Sequence, residues 1–251
     1  MKGKILKLIL LFVFIVFVCS TITYVVVKQN SVVCKSINVH IDSKNSFVDK
    51  NMILNYLRAK DIKIDTTVRI KNLNFDKIED TLKKNDYIKN AEIFTDFWGN
   101  IQINIQQKMP IARVVTKTNK QFYISEDKDI FPISPKYTPI VPILSGEINN
   151  DFFNFENNKK FNNQLFDFLL LINNSELWKN QITQIYITKD TNIYLQPRVG
   201  DQKIVLGKIN NYEFKMTKLL SLYKDLFATA DINEYKEINL IYSNHIVCKK
   251  R

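Results

Sequence analysis

The sequence predicts an α+β protein: an N-terminal transmembrane helix, a small β-α-α-β-β domain, and a β-rich domain with two packing helices. Three observations carry this. Leu8 to Val27 is an unbroken uncharged run. Ile101, Ile103 and Ile105 alternate strictly with Gln102, Asn104 and Gln106, the period of a half-buried strand. Beyond Pro110, short strand-like runs are interrupted by two stretches of helical periodicity.

The first element is the apolar run, preceded by residues 1–7 as a cytoplasmic tail. As a helix its 20 residues (8–27) span roughly 30 Å, the thickness of a bilayer's hydrocarbon core. Lys2, Lys4 and Lys7 precede it and no acid does, so the positive-inside rule keeps the N-terminus in the cytoplasm and exports everything after Lys28. A cleaved signal peptide is the rival, with Val18-Cys19-Ser20 as its cleavage triplet. The apolar run is longer than a signal peptide's hydrophobic segment, which favours the anchor.

A tether, Lys28 to Lys35, leads to a domain expected over 35–109. Ile37, Val39 and Ile41 alternate with Asn38, His40 and Asp42 as its first strand. Asp49 is placed to cap a helix carrying Met52, Ile53, Tyr56 and Leu57. Asn74 is placed to cap another carrying Phe75, Ile78 and Leu82. Ala91, Ile93 and Thr95 mark a second strand, Ile101 to Ile105 a third, and Trp98-Gly99-Asn100 the turn between them. Both helices should lie on one sheet face.

The domain expected over 110–251 reads as strands at Ala112 to Thr116, Gln121 to Ser125, Ile182 to Ile187, Ile193 to Gln196, Lys203 to Leu206 and Glu237 to Tyr242. Pro132, Pro135, Pro139 and Pro142 mark a loop or edge region. One helix carries Phe161, Leu165, Phe168, Leu169 and Ile172. The other runs from Tyr212 through Met216, Leu219, Leu220 and Tyr223 to Leu226 and Phe227.

Chemistry-bearing patterns are sparse. Five glycines, at 3, 99, 146, 200 and 207, form no phosphate-cradling loop. His40 and His245 stand alone without partners at metal-ligand spacing, so no metal and no cofactor is expected. Carboxylate pairs such as Glu126/Asp127 and Asp80/Asp86 read as solvated faces. Ser145-Gly146 is a turn, not a nucleophile elbow. No constellation for an enzyme emerges. The net charge of +11 is scattered without a stripe, which argues against nucleic acid. Cys19, Cys34 and Cys248 suggest no disulfide framework.

Several stretches resemble the bacterial cell-division family FtsQ/DivIB. In the first domain these are Asn72-Leu73-Asn74-Phe75, Ile78, Leu82, Tyr87-Ile88, Asn90-Ala91-Glu92-Ile93, Phe97-Trp98, Ile101-Ile103-Ile105 and Lys108-Met109-Pro110-Ile111-Ala112, which resemble the family's POTRA domain. Gln107-Lys108 stands where the family prefers Glu-Arg, and Gly99 where it prefers proline. In the second domain they are Phe122-Tyr123-Ile124 to Phe131-Pro132, Val141 to Gly146, Val205-Leu206-Gly207 with the Lys215–Leu222 helix, and Ile238 to Tyr242. Asn239 and Ile241 replace the family's Asp and Arg.

The resemblance implies a non-enzymatic scaffold at the division septum, single-pass in the cytoplasmic membrane. Such a scaffold links early and late division proteins and binds the small coiled-coil proteins FtsB and FtsL. A membrane-anchored POTRA-like chaperone or secretion component is the alternative; a cell-wall enzyme is a further one. The last strand is a candidate sheet edge for strand addition. Tyr242 is then its expected anchor and Ser243, Asn244, His245, Ile246 and Val247 its backbone contacts. Trp98 either covers the small core or meets a second partner.

Overall fold

The computed structural model describes residues 2–30, 32–42, 46–149, 152–153, 160–225 and 231–251. The chain divides into two compact units, Met1–Gln107 and Lys108–Arg251.

The first unit begins with helix α1 (Lys2–Asn30). On it, the side chains of residues 10–24 are described, and the large apolar ones among them, such as Phe12, Phe14 and Phe17, are exposed. Residues 8–9 and 25–27 of the expected span lie outside the described side chains. Among the described residues, no helix is long and apolar enough to cross a membrane.

Then follow β1 (Ser36–Asp42), α2 (Lys50–Ala59), α3 (Phe75–Lys83), β2 (Ile88–Thr95) and β3 (Asn100–Gln107). Both predicted caps form. Asp49 Oδ1 accepts from Met52 N at 2.8 Å, and Asn74 Oδ1 accepts from Lys77 N at 2.9 Å. The sheet order is β1-β3-β2, with β1 parallel and β2 antiparallel to the central β3. Ile101, Ile103 and Ile105 turn one face of β3 inward and are fully buried. Ile53, Leu57, Ile78 and Leu82 cover that face from the two helices. One boundary moves: Asn100 belongs to β3, opposite Ser36, because Asp96 rather than Trp98 begins the turn.

The second unit is built on one nine-stranded sheet. Its strands are β4 (Pro110–Val115), β5 (Gln121–Ser125), β6 (Ile130–Pro132), β7 (Ile143–Gly146), β8 (Ile182–Ile187), β9 (Ile193–Pro197), β10 (Lys203–Gly207), β11 (Tyr235–Asn239) and β12 (Val247–Lys250). Their spatial order is β12-β11-β10-β9-β8-β7-β4-β5-β6. Leu165, Phe168, Leu169 and Ile172 of α4 (Lys160–Asn174) share the core with Met216 and Leu219 of α6 (Tyr212–Asp225). Against them lie Val114, Leu144, Ile185, Leu195, Ile204 and Ile238 of the sheet.

The structure departs from the sequence expectation in three ways. Two strands that the sequence pattern did not show, β6 and β7, flank the proline-rich stretch, whose residues 133–142 hold no strand, as expected for a loop or edge region. Pro132 ends β6 on the sheet edge, where a missing N–H costs no ladder bond. Pro142 precedes β7, and its carbonyl accepts from Arg113 N at 3.0 Å. Among the described residues of this unit, three α-helices pack where two were expected, because Ser175 caps a six-residue helix, α5 (Glu176–Gln181), by accepting from Trp178 N at 3.3 Å. The strand expected to reach Tyr242 stops at Asn239, whose side-chain oxygen accepts from Ile241 N at 3.0 Å and turns the chain. Leu226 and Phe227 lie outside the described residues.

Candidate functional site

β11 and β12 form one margin of the large sheet. β11 runs parallel to β10, pairing Ile204 with Ile238, and antiparallel to β12, pairing Ile238 with Cys248 and Asn239 with Val247. Leu240 leaves the strand but still donates from its N–H to Val205 O at 2.9 Å. Ile238 and Leu240 are fully buried, as alternation predicts for a core strand. β12 has β11 on one side, and is the last strand of the sheet on the other. Its outer N–H and C=O groups are therefore the kind a further strand can pair with.

The predicted contact residues sit around this margin rather than along one strand. Tyr242, Ser243, Asn244, His245 and Ile246 belong to the connection between β11 and β12, and Val247 alone among them is in β12. The placement of Tyr242 on the last strand is thus corrected. The connection is ordered all the same. Tyr242 and His245 stack at 4.9 Å between ring centroids, 13° from parallel. From α6, Lys218 Nζ donates to the carbonyl of Tyr242, to Ser243 O at 3.4 Å and to His245 O at 3.5 Å. Partial burial there pushes the Lys218 ammonium below its usual pKa. Tyr242 remains 48% exposed, Ile241 53% and Val247 42%. The sequence pattern carried no sign of Lys218, since a lysine on an amphipathic helix reads as a solvated charge.

Two of the three basic residues at the chain's end, Lys250 and Arg251, are tied down. Lys250 Nζ meets Glu234 Oε2 at 2.8 Å, and Arg251 Nε donates to Asn233 O at 2.9 Å. Cys248 is half-buried beside the core, where burial raises its thiol pKa.

Trp98 does not cover the small core. It is 67% exposed at the tip of the β2–β3 hairpin, next to Phe97 at 93%. Gly99 adopts φ +91°, and a Cβ there would lie 2.6 Å from Val33 O and 2.8 Å from Val32 Cγ1. That left-handed, crowded position is one that only glycine fills without strain.

Among the described residues, groups that could do chemistry are not gathered. His40 is on the open face of the small sheet, in register with Asn104 and, across β3, Glu92. A cavity of about 280 Å³ lies there, lined by these three with Asn90, Ile105 and Gln106. A wider one of about 610 Å³, lined by Ser175, Glu176, Leu177, Asn180, Gln181 and Leu220, holds one carboxylate and no base beside its serine. Among the described residues, no group of three or more His, Cys, Asp or Glu could hold a metal ion.

The comparisons with known proteins agree with this two-part architecture. Residues 32–106 match the model of a POTRA-like domain. No curated protein matches the chain. Residues 109–249, more than half of the chain, match the family model described as FtsQ/DivIB, C-terminal related, and the chain therefore belongs to that family, whose domains carry a cell-division role.

Proposed function

We propose that this chain is a non-enzymatic scaffold of bacterial septal division. It is anchored by residues 8–27 with its N-terminus in the cytoplasm, and it links early and late division proteins by binding FtsB/FtsL-like coiled-coil partners. The domains 35–109 and 110–251 then act outside the cytoplasm. The uncharged run behind three lysines supports the anchor. Family membership supports the divisome setting.

One observation carries the docking reading: β12 is the outermost strand of the nine-stranded sheet, with the exposed, stacked Tyr242 at its entry. A partner segment adds as a tenth strand along Val247 to Lys250, and Tyr242 anchors it as a rigid aromatic contact. Ser243 to Ile246 line the approach. Such docking needs backbone complementarity and shallow side-chain contact, and no reacting group.

The test is capture of a purified FtsB/FtsL-like partner by the full chain. Tyr242→Ala and a truncation after Cys248 should each weaken capture by roughly tenfold or more, the loss of one interface hot spot. Circular dichroism checks that both stay folded. Undiminished capture by both variants refutes the edge as the docking site.

A further inference from the structure

Beyond α1, the first unit exposes a pair of aromatic side chains close to where the chain leaves that helix. Phe97 and Trp98, with Phe94 at 50% exposure on β2, stand at or near the tip of the hairpin. The hairpin is fastened to the tether. Lys35 N donates to Gly99 O at 2.9 Å, and Gly99 presses against Val32 and Val33. The segment Val68–Ile70 is fastened to the same residues: Cys34 N donates to Val68 O at 2.9 Å, Ile70 N donates to Val32 O at 3.1 Å, and Val33 pairs with Arg69. Two stretches of chain thus converge on residues 32–35, just past the end of α1 at Asn30.

The tether limits how far this tip can be from a membrane that holds α1. Lys28 to Asn30 continue the helix at about 1.5 Å per residue, and the next three residues extend at most about 3.6 Å each. Val33 is therefore within about 15 Å of the end of the apolar run, where the headgroup layer is roughly 5–8 Å deep. Aromatic rings with an apolar body are enriched at that level. The charge suits it too. Lys35, Arg69 and Lys71 are exposed on the converging segments. The nearby acids are engaged within their own turns. Asp96 Oδ1 accepts from Trp98 N and Asn100 N at 2.9 Å each, and Asp65 accepts from Thr67 N at 2.9 Å while facing Lys63 at 3.1 Å.

We propose that the Phe97–Trp98 tip, flanked by Lys35, Arg69 and Lys71, seats in the outer headgroup layer of an anionic membrane and fixes the first unit against the lipid surface. This rests on the anchored reading of residues 8–27. It assigns Trp98 to lipid rather than to the core or to a protein partner.

The experiment places the full chain in phosphatidylcholine–phosphatidylglycerol vesicles that contain lipids brominated at defined acyl depths. Trp178 is the second tryptophan and is buried, so the emission of the wild-type chain minus that of Trp98→Phe reports Trp98. Quenching of that difference should be roughly twofold stronger for bromines near the headgroup than for bromines near the bilayer centre, the pattern of an interfacial aromatic. Arg69→Gln with Lys71→Gln should weaken quenching in the anionic vesicles and leave it unchanged in pure phosphatidylcholine. An alkaline wash separates the two readings. A chain released by it overturns the anchor and this inference together. A chain that is retained, with Trp98 quenched at no depth, overturns this inference alone and assigns the hairpin to a protein.

Discussion

Gly146→Ala should be among the most damaging single-methyl additions to the second unit. Gly146 ends β7 at φ +109°, in register with Ile187 of β8. An added Cβ would collide with the backbone oxygen of Ile187 and lie 2.8 Å from its nitrogen. The obstacle is backbone of a neighbouring central strand, not the end of a flexible side chain, so it cannot step aside cheaply. Holding a non-glycine residue in left-handed conformation costs about 1–2 kcal/mol. Relief of the collision would break Glu147 N to Ile187 O and Ile148 N to Gly146 O, both 2.8 Å. Each such bond contributes about 1 kcal/mol net. The sum is about 3–4 kcal/mol, a large share of a typical stability of about 5–15 kcal/mol.

Trp178, buried within the second unit at 4% exposure, reports unfolding there by its fluorescence. For a unit of this size each kcal/mol shifts Tm by about 2–4 °C, so Gly146→Ala should lower the Trp178 transition by about 10 °C. Gly200→Ala is the control. Its φ is +87°, but the nearest obstruction is the side chain of Gln202, so the backbone ladder is spared. A Gly146→Ala transition within about 2 °C of wild type, less than 1 kcal/mol, would refute the steric argument.

Two further perturbations probe the first unit and the candidate site. Leu82→Ala empties a fully buried position under the small sheet and should cost about 2–5 kcal/mol, read as accelerated amide exchange across α3, β2 and β3. Lys218→Met removes the ammonium that holds the carbonyls of Tyr242, Ser243 and His245. Amide exchange over residues 242–246 should quicken roughly fivefold, about 1 kcal/mol of local opening. The same variant has a pH signature. The folded pKa of Lys218 lies below its unfolded one, so its charged form is disfavoured on folding; that cost is present at neutral pH and is relieved as pH rises through the folded value. Lys218→Met should therefore flatten the alkaline rise in stability, and an unchanged slope argues against the burial.

Long periodic elements were legible in the sequence because their signal is repeated. The isoleucines of β3 state their burial three times over, and Asn74 and Asp49 announce helix starts with a side chain that accepts from the next turn. What failed to show was short or set by tertiary pairing. β7 has four residues, Ile143 to Gly146, and becomes a strand only through its parallel partners β4 and β8. α5 is two turns at most and depends on Ser175 and the burial of Trp178. At the candidate site, alternation from Ile238 to Tyr242 looks continuous, yet one local bond from Asn239 to Ile241 N outweighs the ladder and turns the chain. The exposure of Trp98 was undecidable from residue type, since an aromatic ring suits both a core and an interface.

The two margins of the large sheet differ in a way that bears on docking. β6 is three residues long and ends in Pro132, which has no N–H to offer; an edge so short and so capped resists further pairing. β12 is four residues long, contains no proline, and keeps lysines at 249 and 250. Lysines on an edge discourage pairing with another copy of the same basic strand, because like charges placed opposite each other repel. They do not discourage an acidic segment. If β12 is the docking edge proposed above, Lys249, with Lys250 partly balanced by Glu234, disfavours self-pairing and favours a partner of opposite charge, while Glu234 and Asn233 hold the far end of the strand in place. If that selectivity is electrostatic, association of the partner segment should slow as salt rises, with dissociation much less affected. A rate of association that ignores salt would leave backbone pairing and Tyr242 as the whole basis of recognition.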